Sequence, residues 1–311
     1  MIYDPSTMNK NQKTLIVIAG PTAVGKTALA IELAKHYHTD IVSADSRQFY
    51  REMSIGTAKP TDDELAQAKH HFVNSHSVTE DYNVGNFEQQ GLEVIDQIFA
   101  DHDTAILAGG SGLYIKAICE GFDDLPSVNK FIRAELNTTL EERGLVFLQE
   151  ELKTADPVYY AQVDINNPHR VIRALEVIRE TGQPFSSFRT ASPRKRSFNI
   201  IKIGLNLPRE LLYSRINQRV DAMVADGLLE EVTALLPYRG YNALNTVGYT
   251  EVFDYLDGTM DLPTAIALIK QNTRRFAKRQ LTWFNRDKDV AWFEPAQLNE
   301  IIHHIDAILA V

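Results

Sequence analysis

The stretch GPTAVGKT, residues 20–27, follows directly on the apolar run TLIVIA (14–19) and opens onto TALAIELAKHY, whose apolar positions have helical periodicity. Gly20, Gly25, Lys26 and Thr27 have the spacing G-x-x-x-x-G-K-[ST]. Between a strand and a helix this pattern turns backbone N–H groups inward, so that they, the helix N-terminus and an ammonium surround an oligophosphate. A glycine-rich turn without function is the alternative, and the strand–loop–helix setting weighs against it. The loop does not name a reaction, because kinases, ATPases, GTPases and some transferases share it.

Outward from the loop, further strand candidates are DIVSA (40–44), HFVN (71–74), TAILAG (104–109), IIKIGLNL (200–207) and VAWFE (290–294), most of them separated by helical patterns. Alternation of this kind predicts an α/β fold, a P-loop NTPase-like, mainly parallel sheet flanked by helices. Ligands in such sheets bind beyond the carboxyl ends of the strands. GPTAVGKT, ADSRQFY and AGGSGLY each follow a strand candidate and are expected on one rim. Between residues 121 and 196 the strand pattern gives way to the helical segments FIRAELNTTLEERG, VFLQEELKTAD and NPHRVIRALEVIRETG, with Asn167-Pro168 opening the last and Gly182 closing it. This is read as a helical insertion domain in a core formed by residues 14–120 and 197–311. Helix is also expected from Arg209 to about Leu236 and from Leu262 to Phe284.

At 311 residues, 44% hydrophobic and 23% charged, the composition is that of a globular chain, and no run of 18 apolar residues is available to span a bilayer. MIYDPSTMNKNQK at the start is polar and lacks an apolar h-region, so it reads as a frayed tail and not as a secretory signal; a cytoplasmic location is expected. The single cysteine, Cys119, excludes an intramolecular disulfide and a Cys-rich zinc site. A net charge of −9 argues against indiscriminate nucleic-acid binding, but two basic stretches stand out, RTASPRKRSFNIIK (189–202) and KQNTRRFAKRQLTWFNR (270–286).

Asp45 follows the strand candidate DIVSA, where its carboxylate would point into the crevice beside the phosphate loop. It reads as a hydrogen-bond acceptor or base, as a carboxylate holding magnesium through water, or as a turn cap. Ser46 and Gln48 beside it can grip a base edge or a phosphate. IGTAKP (55–60), with Thr57 and Lys59, forms a backbone-rich turn suited to anions or an ordinary surface loop. GGSGLY (109–114) permits close backbone approach to a ligand, with Ser111 supplying a hydroxyl, or is a tight turn. Arg215 and Arg219, four apart on a helix, share a face from which a guanidinium could complement Lys26 or simply be solvated. In TRRFAKRQLTWFNR the cations Arg275, Lys278 and Arg279 recur at helical spacing beside a stripe of Phe276, Gln280, Trp283 and Phe284. That face suits a nucleic-acid backbone, the bland alternative being a charged amphipathic surface.

Together GPTAVGKT, DSRQFY, IGTAKP, GGSGLY, NPHRVIRALEV, TVGYTE and TRRFAKRQLTWF resemble the bacterial tRNA dimethylallyltransferases, also called tRNA isopentenylpyrophosphate transferases, in order and over residues 14–295. Ser54 stands where that family has an acid, and Ser111 where it usually has Thr. The resemblance implies transfer of a dimethylallyl group from dimethylallyl diphosphate to N6 of adenosine-37, next to the tRNA anticodon. It implies a diphosphate cradle of Gly20, Pro21, Thr22, Ala23, Val24, Gly25, Lys26 and Thr27 with Arg219, Mg2+ on Thr27, and catalysis by Asp45, Thr22, Lys26 and Arg219. The implied RNA-facing positions are Asp45, Ser46, Arg47, Gln48, Ser111 and Arg133; His169, Arg170, Val171, Ile172 and Arg173; Asn245, Thr246, Val247, Gly248, Tyr249 and Thr250; and Arg275, Lys278, Arg279, Gln280 and Trp283. A monomer whose insertion domain grips the anticodon stem-loop is also implied. The rival readings are an adenylate isopentenyltransferase acting on free AMP, ADP or ATP, a P-loop small-molecule kinase, and a nonenzymatic RNA-binding module.

Overall fold

All six residues of TLIVIA are buried in β1 (Thr14–Ala19) of the computed structural model, which describes residues 12–123, 125–189 and 193–310. Most of the polar stretch expected to be a frayed tail lies outside the described residues. The chain divides into two units, one running to Glu120 and resuming at Lys195, the other Gly121–Arg194.

The first unit continues from β1 through α1 (Lys26–Tyr37), β2 (Ile41–Ser43), α2 (Asp62–Leu65), β3 (His70–His71), α3 (Val84–Asp101), β4 (Thr104–Gly109) and α4 (Gly112–Glu120). The second unit holds α5 (Lys130–Ala155), α6 (Pro157–Tyr160) and α7 (Pro168–Thr181). The first unit resumes with β5 (Asn199–Leu205), α8 (Arg209–Ala225), α9 (Leu228–Ala234), α10 (Tyr249–Leu256), α11 (Leu262–Phe284), β6 (Val290–Phe293) and α12 (Leu298–Leu309).

Its sheet has the order β3-β2-β4-β1-β5-β6 and every pair is parallel. A parallel sheet is covered on both faces, which is why β1 reads as unbroken apolar sequence and not as an alternation. Ile16 and Ile18 pack with α1, α8 and α12 on one side, while Leu15, Val17 and Ala19 pack with α3, α4 and Phe284 of α11 on the other. Ala19 is in register with Gly109 of β4 and Gly204 of β5, so the loops after these strands leave the sheet at one level. β2 pairs with β4 one register short of that level, Ser43 opposite Ala108. The loops after β1, β2 and β4 therefore share one rim.

One expectation is corrected here. HFVN contributes only His71 to β3, because Phe72 and Asn74 have φ of 62° and 56°, which turn the chain out of the ladder. Phe72 instead packs its ring against Phe49 and Phe87. The basic stretch 189–202 is largely consumed internally: Arg189 faces Asp123, Arg196 pairs with Glu88 at 2.8 Å, and Lys202 pairs with Asp287 at 2.6 Å. Thr190, Ala191 and Ser192 of that stretch lie outside the described residues.

In the second unit, α5 spans both expected helical segments, with a break at Gly144, whose φ of 77° and ψ of 170° are non-helical. In α7, Asn167 caps the N-terminus, Pro168 occupies the first turn and Gly182 closes the helix in the left-handed region. The stripe Val171, Ala174 and Leu175 with Ile172 and Val177 packs onto Leu136, Leu148 and Leu152 of α5. Asp156 is buried and accepts the Tyr159 N–H at 2.9 Å, the Ser186 N–H at 2.7 Å and the Ser186 hydroxyl at 2.9 Å. Asp156→Ala would strip those donors of their acceptor and is expected to cost about 3 kcal/mol within this unit. Amide hydrogen exchange would then quicken in α5 and α7 while β1 keeps its protection.

Candidate active site

Between β1 and α1 the chain turns through Ala23 at φ 64° and Gly25 at φ 110° before Lys26 begins the helix. Gly25 meets that conformation without a Cβ penalty. Val24 is wholly buried in the core and Ala23 nearly so, so these two offer a ligand their backbone N–H groups and no side chain. Lys26 donates to the Pro21 carbonyl at 2.8 Å. Burial pushes its ammonium down to about 8, nearby Asp45 acting against the shift and Arg219 adding to it. Burial also lowers Arg219, with Asp45 and Glu64 opposing.

Two cavities meet at this cluster. One, of about 340 Å³, is lined by the phosphate loop, Thr27, Ser43, Gln48, Lys59 and Glu64. The other, of about 420 Å³, extends past Ser46, Ser111, Tyr114, Met223, Val247, Phe276 and Trp283. Thr22, Lys26, Asp45, Thr57, Ala58 and Arg219 line both. A cationic pocket and a largely apolar one thus share a wall that carries one carboxylate and two cations.

The loops of the rim are tied to one another. Ser111 Oγ accepts the Ser46 N–H at 3.0 Å and donates to Ser46 Oγ at 3.1 Å. Arg47 donates to the carbonyls of Ala243 at 2.9 Å and of Asn242 and Asn245 at 3.3 Å. Gln48 donates to the Ala58 carbonyl at 3.2 Å, holding the IGTAKP turn against the strand end. That turn does bind an anion, but it is the protein's own: the Glu231 carboxylate accepts the N–H groups of Ser54, Ile55 and Gly56 at 2.8–3.0 Å, and the Tyr249 hydroxyl at 2.6 Å. Nothing in the linear sequence marks Glu231, which lies 175 residues beyond the turn.

The glycines of GGSGLY are likewise filled from within. A Cβ on Gly109 would lie 2.2 Å from the Ala44 carbonyl oxygen, and one on Gly112 would lie 2.3 Å from the Trp283 indole. Close approach is what these positions need, but to other parts of the chain. Among the described residues no cluster of three or more His, Cys, Asp or Glu is placed to hold a metal. The oxygen donors lining the cavity at the loop include the Thr27 hydroxyl and the Asp45 and Glu64 carboxylates, a hard set suited to a cation that keeps water and phosphate oxygens as its other ligands.

The sequence profile of the IPP transferase family matches residues 48–287. The chain belongs to that family. The tRNA dimethylallyltransferase of Christiangramia forsetii is 55% identical over 280 residues, 90% of this chain and 93% of that protein. The tRNA dimethylallyltransferase 1 of Bacteroides thetaiotaomicron is 50% identical, covering 94% and 95%. Among solved structures, the full-length tRNA isopentenylpyrophosphate transferase of Bacillus halodurans is 37% identical, with a TM-score of 0.71 over 96% of this chain and 97% of that one. A eukaryotic dimethylallyltransferase acting on tRNA is 26% identical, with a TM-score of 0.77 over 90% and 73%.

Several implied RNA-facing positions of this IPP transferase family member are corrected by burial. Val171 and Ile172 are core residues of the second unit, and Tyr249 is wholly enclosed against Gly56 with its hydroxyl on Glu231. Gln280 is buried and spends its amide on the protein backbone. Arg133 and Arg173 both engage the Glu176 carboxylate, whereas His169 and Arg170 are exposed. On α11 the side chains of Arg275, Lys278 and Arg279 are exposed, and on the α10 side Thr246, Val247 and Gly248 line the larger cavity.

The state of Lys26 sets a pH dependence. Its ammonium is charged below about 8 and neutral above, and an anion binds the charged form, so affinity falls as pH rises through that value. Calorimetry with inorganic diphosphate is expected to show weakening of about tenfold per pH unit above the transition, relative to Lys26→Arg, which stays charged. Lys59 is also pushed down to about 8 by burial, so Lys59→Arg is the control and should leave the transition in place.

Proposed function

We propose that this protein transfers a dimethylallyl group from dimethylallyl diphosphate to N6 of adenosine-37, adjacent to the tRNA anticodon, and releases diphosphate. The observation that carries the reading is the meeting of the two cavities at Asp45, Lys26 and Arg219. The names of the relatives and the geometry support it independently of one another.

The diphosphate would lie in the smaller cavity, on the loop N–H groups, Lys26 and Arg219, with the allyl chain directed toward the shared wall. The adenine would enter the larger cavity, among Ser46, Ser111, Val247 and Trp283. When the allylic C–O bond breaks, negative charge gathers on the departing oxygens, and buried cations stabilise it more strongly than water would. The new bond forms between allylic carbon and N6. Adenine's amino lone pair is delocalised into its ring, so a carboxylate accepting the N6 proton improves attack; Asp45 is the group at the shared wall that can do this. Thr22, which lines both cavities, would hydrogen-bond phosphate oxygens through its hydroxyl. Thr27 would hold Mg2+ together with diphosphate oxygens and water, and the ion would neutralise part of the leaving group's charge.

Adenosine must leave its stack to reach the wall, at a cost of a few kcal/mol that protein–RNA contacts offset. Arg275, Lys278 and Arg279 on α11 suit the phosphodiester backbone, and His169 and Arg170 on the helical insertion suit another part of the stem-loop. Among the described residues no helix is long and apolar enough to cross a membrane. We assign the protein to the cytoplasm with its RNA substrate, as a monomer.

Mass analysis of an anticodon stem-loop, and in parallel of AMP and ATP, each incubated with dimethylallyl diphosphate and magnesium, tests the reading. Prenylated stem-loop and free diphosphate are expected. Prenylated AMP in place of stem-loop product would favour the adenylate isopentenyltransferase, and phosphoryl transfer with the isoprenoid untouched would overturn the proposal. Asp45→Asn is expected to lower turnover by about 10²–10⁴-fold while stem-loop affinity changes little.

A further inference from the structure

The inward stripe of α11 contains one residue whose chemistry does not match its place. Ala277, Gln280 and Phe284, at helical spacing, are all buried, and the middle one is an amide. A buried amide costs free energy unless its groups are bonded. Here both ends are used: the Gln280 carbonyl oxygen accepts the Thr22 N–H at 2.9 Å, and the amide nitrogen donates to the Gly110 carbonyl at 2.9 Å. One side chain therefore joins the phosphate loop after β1 to the glycine turn after β4. The fit is close, since a Cβ on Gly110 would lie 2.3 Å from that amide nitrogen.

The outer side of the same helical turns carries Arg275, Lys278 and Arg279, all exposed. Next along the helix, Trp283 rests its indole on Gly112. The loop held by Gln280 also contains Ala23 at φ 64°, a conformation unfavourable for a residue with a Cβ, which persists only where its surroundings enforce it. The basic side of α11 and the side chain that bonds the Thr22 N–H thus belong to the same turns of one helix.

We propose that Gln280 is a positioning residue that couples the two substrate sites, so that the anticodon stem-loop and the allylic diphosphate each raise the other's affinity. This rests on the reading that the stem-loop lies on α11. Thermodynamic linkage requires the coupling to be equal in both directions.

The test is to titrate the full chain with an unreactive allylic thiodiphosphate and with an anticodon stem-loop, each alone and in the presence of the other. Wild type is expected to show a mutual tightening of about tenfold. In Gln280→Leu the coupling factor should fall to about one, while each ligand alone still binds. Gln280→Glu keeps an acceptor for Thr22 but offers Gly110 no donor, and should give a smaller coupling than wild type; it also serves if the leucine variant fails to fold. Loss of general packing alone would weaken single-ligand binding without abolishing the ratio. Wild-type coupling of one, or wild-type coupling retained in both variants, overturns the proposal. If the stem-loop neither binds nor is prenylated, the functional reading fails instead, and product formation by a protein without mutual tightening separates the two.

Discussion

Two cations, Lys26 and Arg219, stand with the Asp45 carboxylate on the wall that two cavities share, and the loops around them hold that cluster together. Burying charge without full compensation is costly, and both cations have lowered proton affinity as a result, for which burial is the leading cause. A binding site can carry such a cost when its substrate supplies the missing charge. In the proposed reaction a diphosphate would do so, and it would become still more negative at the oxygen that departs, so the stabilisation would be greatest where the reaction needs it. The carboxylate on the same wall would there serve the acceptor and not the leaving group.

The sheet makes this possible by register. With β1, β4 and β2 parallel and adjacent, three loops emerge beside one another, and each brings a different chemistry: anion-binding amides, a glycine turn that lets other elements come close, and a carboxylate. Loops alone would not hold such positions. They are held by side chains of distant elements: Glu231 of α9 under the IGTAKP turn, Arg47 on the carbonyls after α9, and Gln280 of α11 between the phosphate loop and Gly110. These bonds satisfy backbone groups of the loops, so the same contacts that pre-organise the crevice also lower the cost of folding.

Much of this was legible in the linear chain. β1, β4 and the phosphate loop appear at the positions that the run TLIVIA, the run TAILAG and the motif spacing indicate, because strongly periodic or wholly apolar segments and glycine-rich turns are decided locally. Asp45 was legible from its place after a strand. The burial of Val171, Ile172 and Tyr249 was less so, since a motif marks a stretch of chain and says nothing about which of its side chains turns inward. HFVN reads as a strand by composition, but two left-handed residues end it after His71, and local composition does not reveal a positive φ at Phe72.

What the sequence by itself determined is the set of elements and the kind of chemistry: an α/β sheet, a phosphate loop, an acid at a strand end and a basic helix. These depend on periodicity, backbone preference and charge, all of them short-range properties of the chain. Only the tertiary structure decided which partner each polar group takes. The turn that reads as an anion site is filled by Glu231, and Gln280, which reads as part of an RNA-facing stripe, is enclosed between two loops. The reason is physical: a buried polar group must find its complement somewhere in space, and the residue that supplies it is fixed by packing and not by distance along the chain.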